Sequence, residues 1–217
     1  MKVEIWSDFT CPYCYLGKRR LERALSELPF ADEVEVEWLS FEINPETLGT
    51  SEKTKVEHLA DKYDQPEKWA ELLCLSLTEQ GQEIDIKFDF ANNKVSNTYD
   101  AHRLLQLAKS QNKADELNEQ LLFACFTEGK SLADHKVLID CSEKVGLNSE
   151  EVNNLLADST FSDEVTQDKT LASEIGIQSA PFFIIDEAFG MEGAQPVEHI
   201  KKMLTDVYQN NLSVSEG

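Results

Sequence analysis

Between residues 2 and 44 the hydrophobic period changes twice, and that change limits the folds open to the chain. "KVEIW" (2–6) alternates as a strand does. "YCYLGKRRLERALSEL" (13–28) then sets Leu16, Leu21, Leu25 and Leu28 at helical spacing, and Pro29 closes the segment. "VEVEWLSFEIN" (34–44) alternates again, with Val34, Val36 and Trp38 set against Glu35 and Glu37, and Pro45 ends it. A β-α-β unit this short implies parallel strands joined by a right-handed crossover.

The rest of the chain does not continue that alternation. From about residue 50 to 175 the segments "PEKWAELLCLSLTEQ", "SNTYDAHRLLQLAKS", "ADELNEQLLFACFTEG", "DHKVLIDCSEKVG", "SEEVNNLLAD" and "DKTLASEIG" carry apolar residues at i, i+3, i+4 spacing. No proline lies between Pro66 and Pro181, as uninterrupted helices require. "EIDIKFDF" (83–90) alternates like a strand but has no partner nearby, so it is read as an extended connector with its apolar side packed down. The β pattern returns in "APFFIIDEAF" (180–189), followed by "GMEGAQP" and a last helix, "VEHIKKMLTDVYQ". The tail "NNLSVSEG" is expected to fray. The resulting architecture is one α/β domain divided by an all-α insertion: 1–48 and 176–217 form its two parts, and 49–175 the insertion.

The strand at 2–6 runs into "SDFTCPYCYLG", where Cys11 and Cys14 stand two residues apart at a helix start. A zinc site needs four ligands. There is no second C-x-x-C, and His58, His102, His135 and His199 are scattered singly, so no metal is expected. A structural disulfide across two residues closes almost no loop and would constrain the unfolded chain little. Redox chemistry is left. A thiol beside the first N–H groups of a helix is stabilised as a thiolate. Pro12 suits the first turn because it lacks an N–H that would have no partner there. Cys14, one turn further in, is shielded and close enough to attack a mixed disulfide on Cys11. Asp8, three residues before Cys11, is either a proton relay for a thiol or a turn and capping residue.

Five cysteines is an odd number, which argues against a fully paired secreted framework. Cys74, Cys125 and Cys141 lie in apolar helical contexts and read as small buried hydrophobes. The formal charge of −21, from 20 Lys+Arg against 41 Asp+Glu, disfavours nucleic acid and anionic membrane as partners. There is no apolar run of 18 residues to span a bilayer, and "MKVEIWSDF" does not read as a signal peptide, so a cytoplasmic protein is expected.

Pro181, opening a late strand, removes a ladder donor. Local sequence leaves a cis Ala180–Pro181 bond and an edge-strand trans proline both open. A cis bond would leave the Ala180 backbone free to bond an extended substrate.

"SDFTCPYCYLG", "SNTYDAHRLLQLA", "APFFIID" and "GMEGAQP", in this order and spanning nearly the whole chain, resemble thioredoxin-fold proteins of the DsbA family, and within it the cytoplasmic FrnE-like branch. The resemblance implies a thioredoxin-like fold with a large helical insertion. It also implies Cys11 as attacking thiol, Cys14 as resolving thiol and Pro181 as a cis proline. Ala180, Pro12, Tyr13 and His102 are the candidate substrate-side residues. Asn97, Thr98, His102 and Arg103 would lie on an insertion helix facing the site, although an N-cap at Ser96 or Asn97 with a packing histidine explains the same pattern. Two features depart from the family: Ala180 stands where many members carry Val or Thr, and Pro-Tyr separates the cysteines as in glutaredoxins.

The expected activity is thiol–disulfide oxidoreduction or isomerisation on protein or low-molecular-weight disulfides, with glutathione among the candidate partners and no cofactor beyond a redox-partner thiol. The competing class is the glutathione-dependent isomerases and transferases of the 2-hydroxychromene-2-carboxylate isomerase and kappa-class type, which typically carry Ser at the first active-site position and lack the second Cys. A non-enzymatic holdase is a third; its mark would be binding that survives a double Cys→Ser change. The oligomeric state is not legible.

Overall fold

The computed structural model describes residues 1–215. Its elements in chain order are β1 (Lys2–Ser7), α1 (Pro12–Ser26), β2 (Glu35–Ser40), β3 (Thr50–Thr54), α2 (Lys55–Lys62), α3 (Glu67–Gln82), β4 (Lys94–Ser96), α4 (Tyr99–Ser110), α5 (Ala114–Phe126), α6 (His135–Lys144), α7 (Ser149–Ala157), α8 (Ser162–Glu174), β5 (Phe182–Ile185), β6 (Phe189–Glu192) and α9 (Val197–Ser215).

The four-stranded sheet runs β2-β1-β5-β6, with β1 parallel to β2 and antiparallel to β5, and β5 antiparallel to β6. Val3 pairs with Val36 and Ile185, and Ile5 with Trp38 and Phe183. Alternation therefore sends one set of side chains to a single face, where they meet Leu16 and Leu21 of α1 and Ile200 and Leu204 of α9. The other face carries Trp6 and Leu39, covered by Ala172 of α8 and by Ile177. Burial of both faces explains why the alternation of β1 ends in two adjacent apolar residues, Ile5 and Trp6, both buried. The β5–β6 hairpin turns at Asp186 and Glu187, both in the left-handed region at φ 47° and 56°, a geometry that matches the twist of the strands.

The block between β2 and β5 is helical but not wholly so. Thr50–Thr54 pairs antiparallel with Lys94–Ser96, which corrects the expectation of an all-α insertion. A five-residue segment of polar side chains offers no alternation to read, and its partner lies about forty residues away. Helix α2 adds to the helical segments read from the sequence, with Thr54 and Glu57 forming a full capping box at its start. The extended connector expected over 83–90 is only partly present. Residues 83–85 turn back on the end of α3, with Asp85 at φ 61° and the Ile84 and Ile86 N–H groups donating to the Gly81 carbonyl. Residues 86–89 follow without helix or strand, and Ile86 and Phe90 are buried. The expected fraying of the tail does not begin at Asn210: α9 continues to Ser215, and only residues 216–217 of that tail lie outside the described residues.

The insertion is fastened to α1 by a buried ammonium. Lys18 is 1% exposed and reaches Glu22, Asp115 at 3.2 Å and Glu119 at 3.6 Å. Arg19 holds the same Glu119 at 2.7 Å, and Tyr15 Oη donates to it at 2.7 Å. α1 is thereby fixed on its α5 side as well as against the sheet.

Candidate active site

β1 ends at Ser7, and four residues later Cys11 becomes the N-cap of α1 with Pro12 at the first helical position. The turn is closed by the Cys11 N–H donating to the Asp8 carbonyl at 3.1 Å and by the Cys14 N–H donating to the Cys11 carbonyl at 3.0 Å. Both cysteines are free thiols and both are buried. The Cys11 Sγ sits against the carbonyl oxygen of Ala180 at 3.2 Å, the two residues meeting across 169 positions of sequence. The Ala180–Pro181 bond is cis. Gly17 makes this approach possible, because a Cβ there would stand 3.1 Å from Pro181 Cγ and 3.2 Å from Phe183 Cζ.

The two thiols differ in their surroundings. A hydrogen bond from the Cys14 side chain does most to hold the Cys11 thiol below its ordinary value. Burial opposes this, and the Cys14 N–H and the charge of Lys55 add to the lowering. Burial, then the hydrogen bond and charge of Cys11, push Cys14 well above the ordinary thiol range. The pair is thus divided into a sulfur in the cleft wall whose thiol is held low and a sulfur behind it whose thiol is held high, the latter accepting from the Asp8 N–H at 3.4 Å.

Asp8 is 1% exposed and its carboxylate gathers donors from three parts of the chain: the Ile43 N–H at 2.7 Å, Thr98 Oγ1 at 2.9 Å and Thr10 Oγ1 at 3.1 Å. Burial alone would raise it; His102, the Ile43 N–H and Thr98 more than reverse that and hold it below the usual carboxylate value. His102 Nε2 is 3.6 Å from Asp8 Oδ1, with its ring 4.8 Å from that of Phe9.

A cleft of about 420 Å³ opens beside the dithiol, lined by Cys11, Pro12, Tyr13 and Ala180 together with Lys55, His58, Lys62 and Tyr63 of α2 and its end. Pro12, Tyr13 and Ala180 therefore line the cleft beside Cys11. His102, expected there too, lies instead behind Asp8, because its helix faces the β1–α1 loop and not the opening. Arg103 is further away: it binds the carbonyls of Thr160 at 2.9 Å and Asp158 at 2.6 Å, and it pairs with Asp100 at 2.8 Å, tying α4 to the α7–α8 connection. Thr98, and neither Ser96 nor Asn97, is the N-cap of α4. Its hydroxyl goes to Asp8, while Asn97 Oδ1 takes the Tyr99 N–H at 3.0 Å.

Sequence reasoning missed Lys55. It is 3% exposed, and its Nζ donates to the Thr10 carbonyl at 2.7 Å, one residue before Cys11. Burial lowers its ammonium. Burial, then Lys55 and Lys62, push His58 down to about 4, so it is neutral near neutral pH. Cys74, Cys125 and Cys141 are buried thiols in helix interiors, as their contexts suggested. Among the described residues no group of three or more His, Cys, Asp or Glu converges as a metal site, and no helix is long and apolar enough to cross a membrane.

A split strand-helix-strand and hairpin-helix frame, with a dithiol at a helix start opposite a cis proline, defines a thioredoxin-like protein with a helical insertion. The family model for the DSBA-like thioredoxin domain matches residues 2–205, and the chain belongs to that family of thiol–disulfide oxidoreductases. The structure is similar to that of a probable DsbA oxidoreductase from Streptomyces coelicolor, with 34% identity, a TM-score of 0.92, and coverage of 96% of this chain and 90% of that one. An uncharacterized protein of Bacillus subtilis, YwbO, is 27% identical over 206 residues, which is 94% of this chain and 96% of that one. A 2-hydroxychromene-2-carboxylate isomerase shares the fold at 15% identity and a TM-score of 0.73, covering 99% of both chains.

Proposed function

We propose that the protein is a dithiol oxidoreductase or isomerase in which Cys11 attacks an incoming disulfide and Cys14 resolves the mixed disulfide. The observation that carries this reading is the division of the pair: Cys11 is held low and faces the cleft against the Ala180 carbonyl, while Cys14 is held high and buried behind it. Thiolate at the accessible sulfur drives attack, and a protonated second thiol leaves the first free to react until a mixed disulfide brings the partner sulfur close. A cleft of about 420 Å³ with Cys11 in its wall suits an extended peptide or a small disulfide such as that of glutathione. The partners proposed are protein or low-molecular-weight disulfides and thiols, met in the cytoplasm, where the three remaining thiols stay reduced.

Reduction of insulin, and separately of glutathione disulfide, tests the assignment. Cys11→Ser is expected to abolish turnover of both. Cys14→Ser is expected to lose turnover while still consuming one equivalent of disulfide. Full turnover by the Cys11 variant would refute the roles. A glutathione-dependent isomerase or transferase is the second reading, since that class shares the fold. It predicts activity that needs glutathione and survives Cys14→Ser.

A further inference from the structure

Two lysines are almost fully buried in this molecule, and their surroundings differ. Lys18 is surrounded by carboxylates. Lys55 has no carboxylate in ion-pair contact among the described residues; its ammonium is held by the Thr10 carbonyl and stands 5.8 Å from the ring of Phe126. A buried cation without an anion is costly, so the groups facing it decide its partner. From α5 comes Cys125, pushed up to about 11 by burial and therefore neutral. From α2 itself come His58, neutral, and Lys62, of like charge. From the β1–α1 loop comes Asp8, which keeps its charge because its donors Ile43 N–H, Thr98 and Thr10 are neutral, and which makes no ion-pair contact with Lys55. From α1 come Cys14, protonated, and Cys11. Two groups facing Lys55 can carry negative charge, Asp8 and Cys11, since burial raises the Cys74 thiol of α3; Cys11 is the one that lines the same cleft and that oxidation discharges.

We propose that the Lys55 ammonium is the counter-ion of the Cys11 thiolate, an ion pair present only in the reduced protein, so that this insertion residue helps to set the reduction potential of the dithiol. The proposal rests on the redox reading above. In that reaction the Cys11 thiolate attacks R–S–S–R′ to give Cys11–S–S–R and R′–S⁻. Cys14 then loses its proton to a departing thiolate, attacks Cys11 Sγ and releases R–S⁻, so two electrons pass from the dithiol to the substrate. Once the two sulfurs are joined, Lys55 has lost the nearby thiolate and keeps only the charge of Asp8. The reduced form is thereby favoured and the disulfide becomes more oxidising. Lys55 is placed for this by the chain: Thr54 and Glu57 cap the helix it opens, with Thr54 Oγ1 accepting from the Glu57 N–H at 3.2 Å and the Glu57 carboxylate from the Thr54 N–H at 2.7 Å.

The test compares Lys55→Met and Lys55→Arg with the wild type, in alkylation of Cys11 across pH and in equilibrium with glutathione. Loss of the charge is expected to slow alkylation about tenfold below the Cys11 midpoint and to shift the equilibrium about tenfold toward the disulfide, about 30 mV. Lys55→Arg should restore most of both. A merely structural tether would instead lower the denaturation midpoint equally in the two redox forms and leave the alkylation profile in place, and that result would overturn the proposal. Should Lys55→Met fail to fold, NMR titration of the Lys55 ε-carbon in the wild type decides the matter: oxidation is expected to lower its midpoint, and an unchanged midpoint refutes the ion pair. A wild-type protein that exchanges with no disulfide would defeat the redox reading alone, since the alkylation profile still reports on Lys55.

Discussion

Gly17→Ala puts a sign on how closely α1 approaches the proline loop. On an exposed helix this change stabilises by about 1 kcal/mol, because alanine loses less backbone freedom on folding. Here the new Cβ would stand 3.1 Å from Pro181 Cγ and 3.2 Å from Phe183 Cζ, against a carbon–carbon optimum of about 3.5–4.0 Å. Several tenths of an ångström must be found, and neither neighbour can easily yield: Phe183 is 0% exposed at the centre of the sheet, and Pro181 is a rigid ring. Overpacking of this kind costs about 1–3 kcal/mol. Net of the helix gain, Gly17→Ala should destabilise by about 1 kcal/mol, and Gly17→Val by more, since valine adds two methyl groups and a stiff χ1. For a chain of this size, about 1 kcal/mol lowers Tm by about 2–4 °C. Thermal and urea melts of the reduced protein measure it, and disulfide exchange should slow because the Ala180 carbonyl is pushed from Cys11 Sγ. A Gly17→Ala protein more stable than the wild type would show that the close approach is no constraint.

The two thiols make stability depend on pH in opposite senses. Cys11, held low, adds stability to the reduced protein above the ordinary thiol value, and this is lost as pH falls through its folded value. Cys14, held high, contributes fully below the ordinary thiol value and loses that contribution as pH rises through its folded value. Each unit is worth about 1.4 kcal/mol. Guanidinium melts should therefore find the reduced protein more stable than the oxidised one near pH 8, with the gap closing under acid. A gap that widens under acid would contradict this. Asp8→Asn should cost about 2–3 kcal/mol, since an amide cannot accept charge-assisted bonds from Ile43, Thr98 and Thr10 together. It should also shift Cys11 alkylation to lower pH, because the Asp8 charge opposes the thiolate. An alkylation profile that moves to higher pH would instead support a proton-relay role.

The frame was legible where periodicity is local. The switch from period two to helical spacing and back marks β1, α1 and β2, and the dithiol stands at their junction in plain sequence. What stayed hidden depends on distant pairing. Thr50–Thr54 finds its strand partner at Lys94–Ser96, and nothing within either segment announces it. Asp8 finds Thr98 across ninety positions, so its carboxylate could be read only as a turn residue or a relay. Lys55, in "SEKTKVEHL", looks like one more surface lysine; the fold buries it against the Thr10 carbonyl and the ring of Phe126 from α5. A capping box at Thr54 and Glu57 starts that helix, but no local signal marks which of its residues faces a thiol. His102 has helical spacing that fits a site or a core equally well, and the fold sends it behind Asp8.

The most direct measurement is to trap the mixed disulfide and identify the sulfur that carries it. Cys14→Ser and Cys11→Ser proteins are reduced, exposed to glutathione disulfide near neutral pH, quenched with acid and mapped by peptide mass spectrometry. A single adduct is expected on Cys11 in the Cys14 variant and none of comparable yield in the Cys11 variant. An adduct formed as readily on Cys14 in the Cys11 variant, or on Cys74, Cys125 or Cys141 in either, would contradict the roles given to the two thiols.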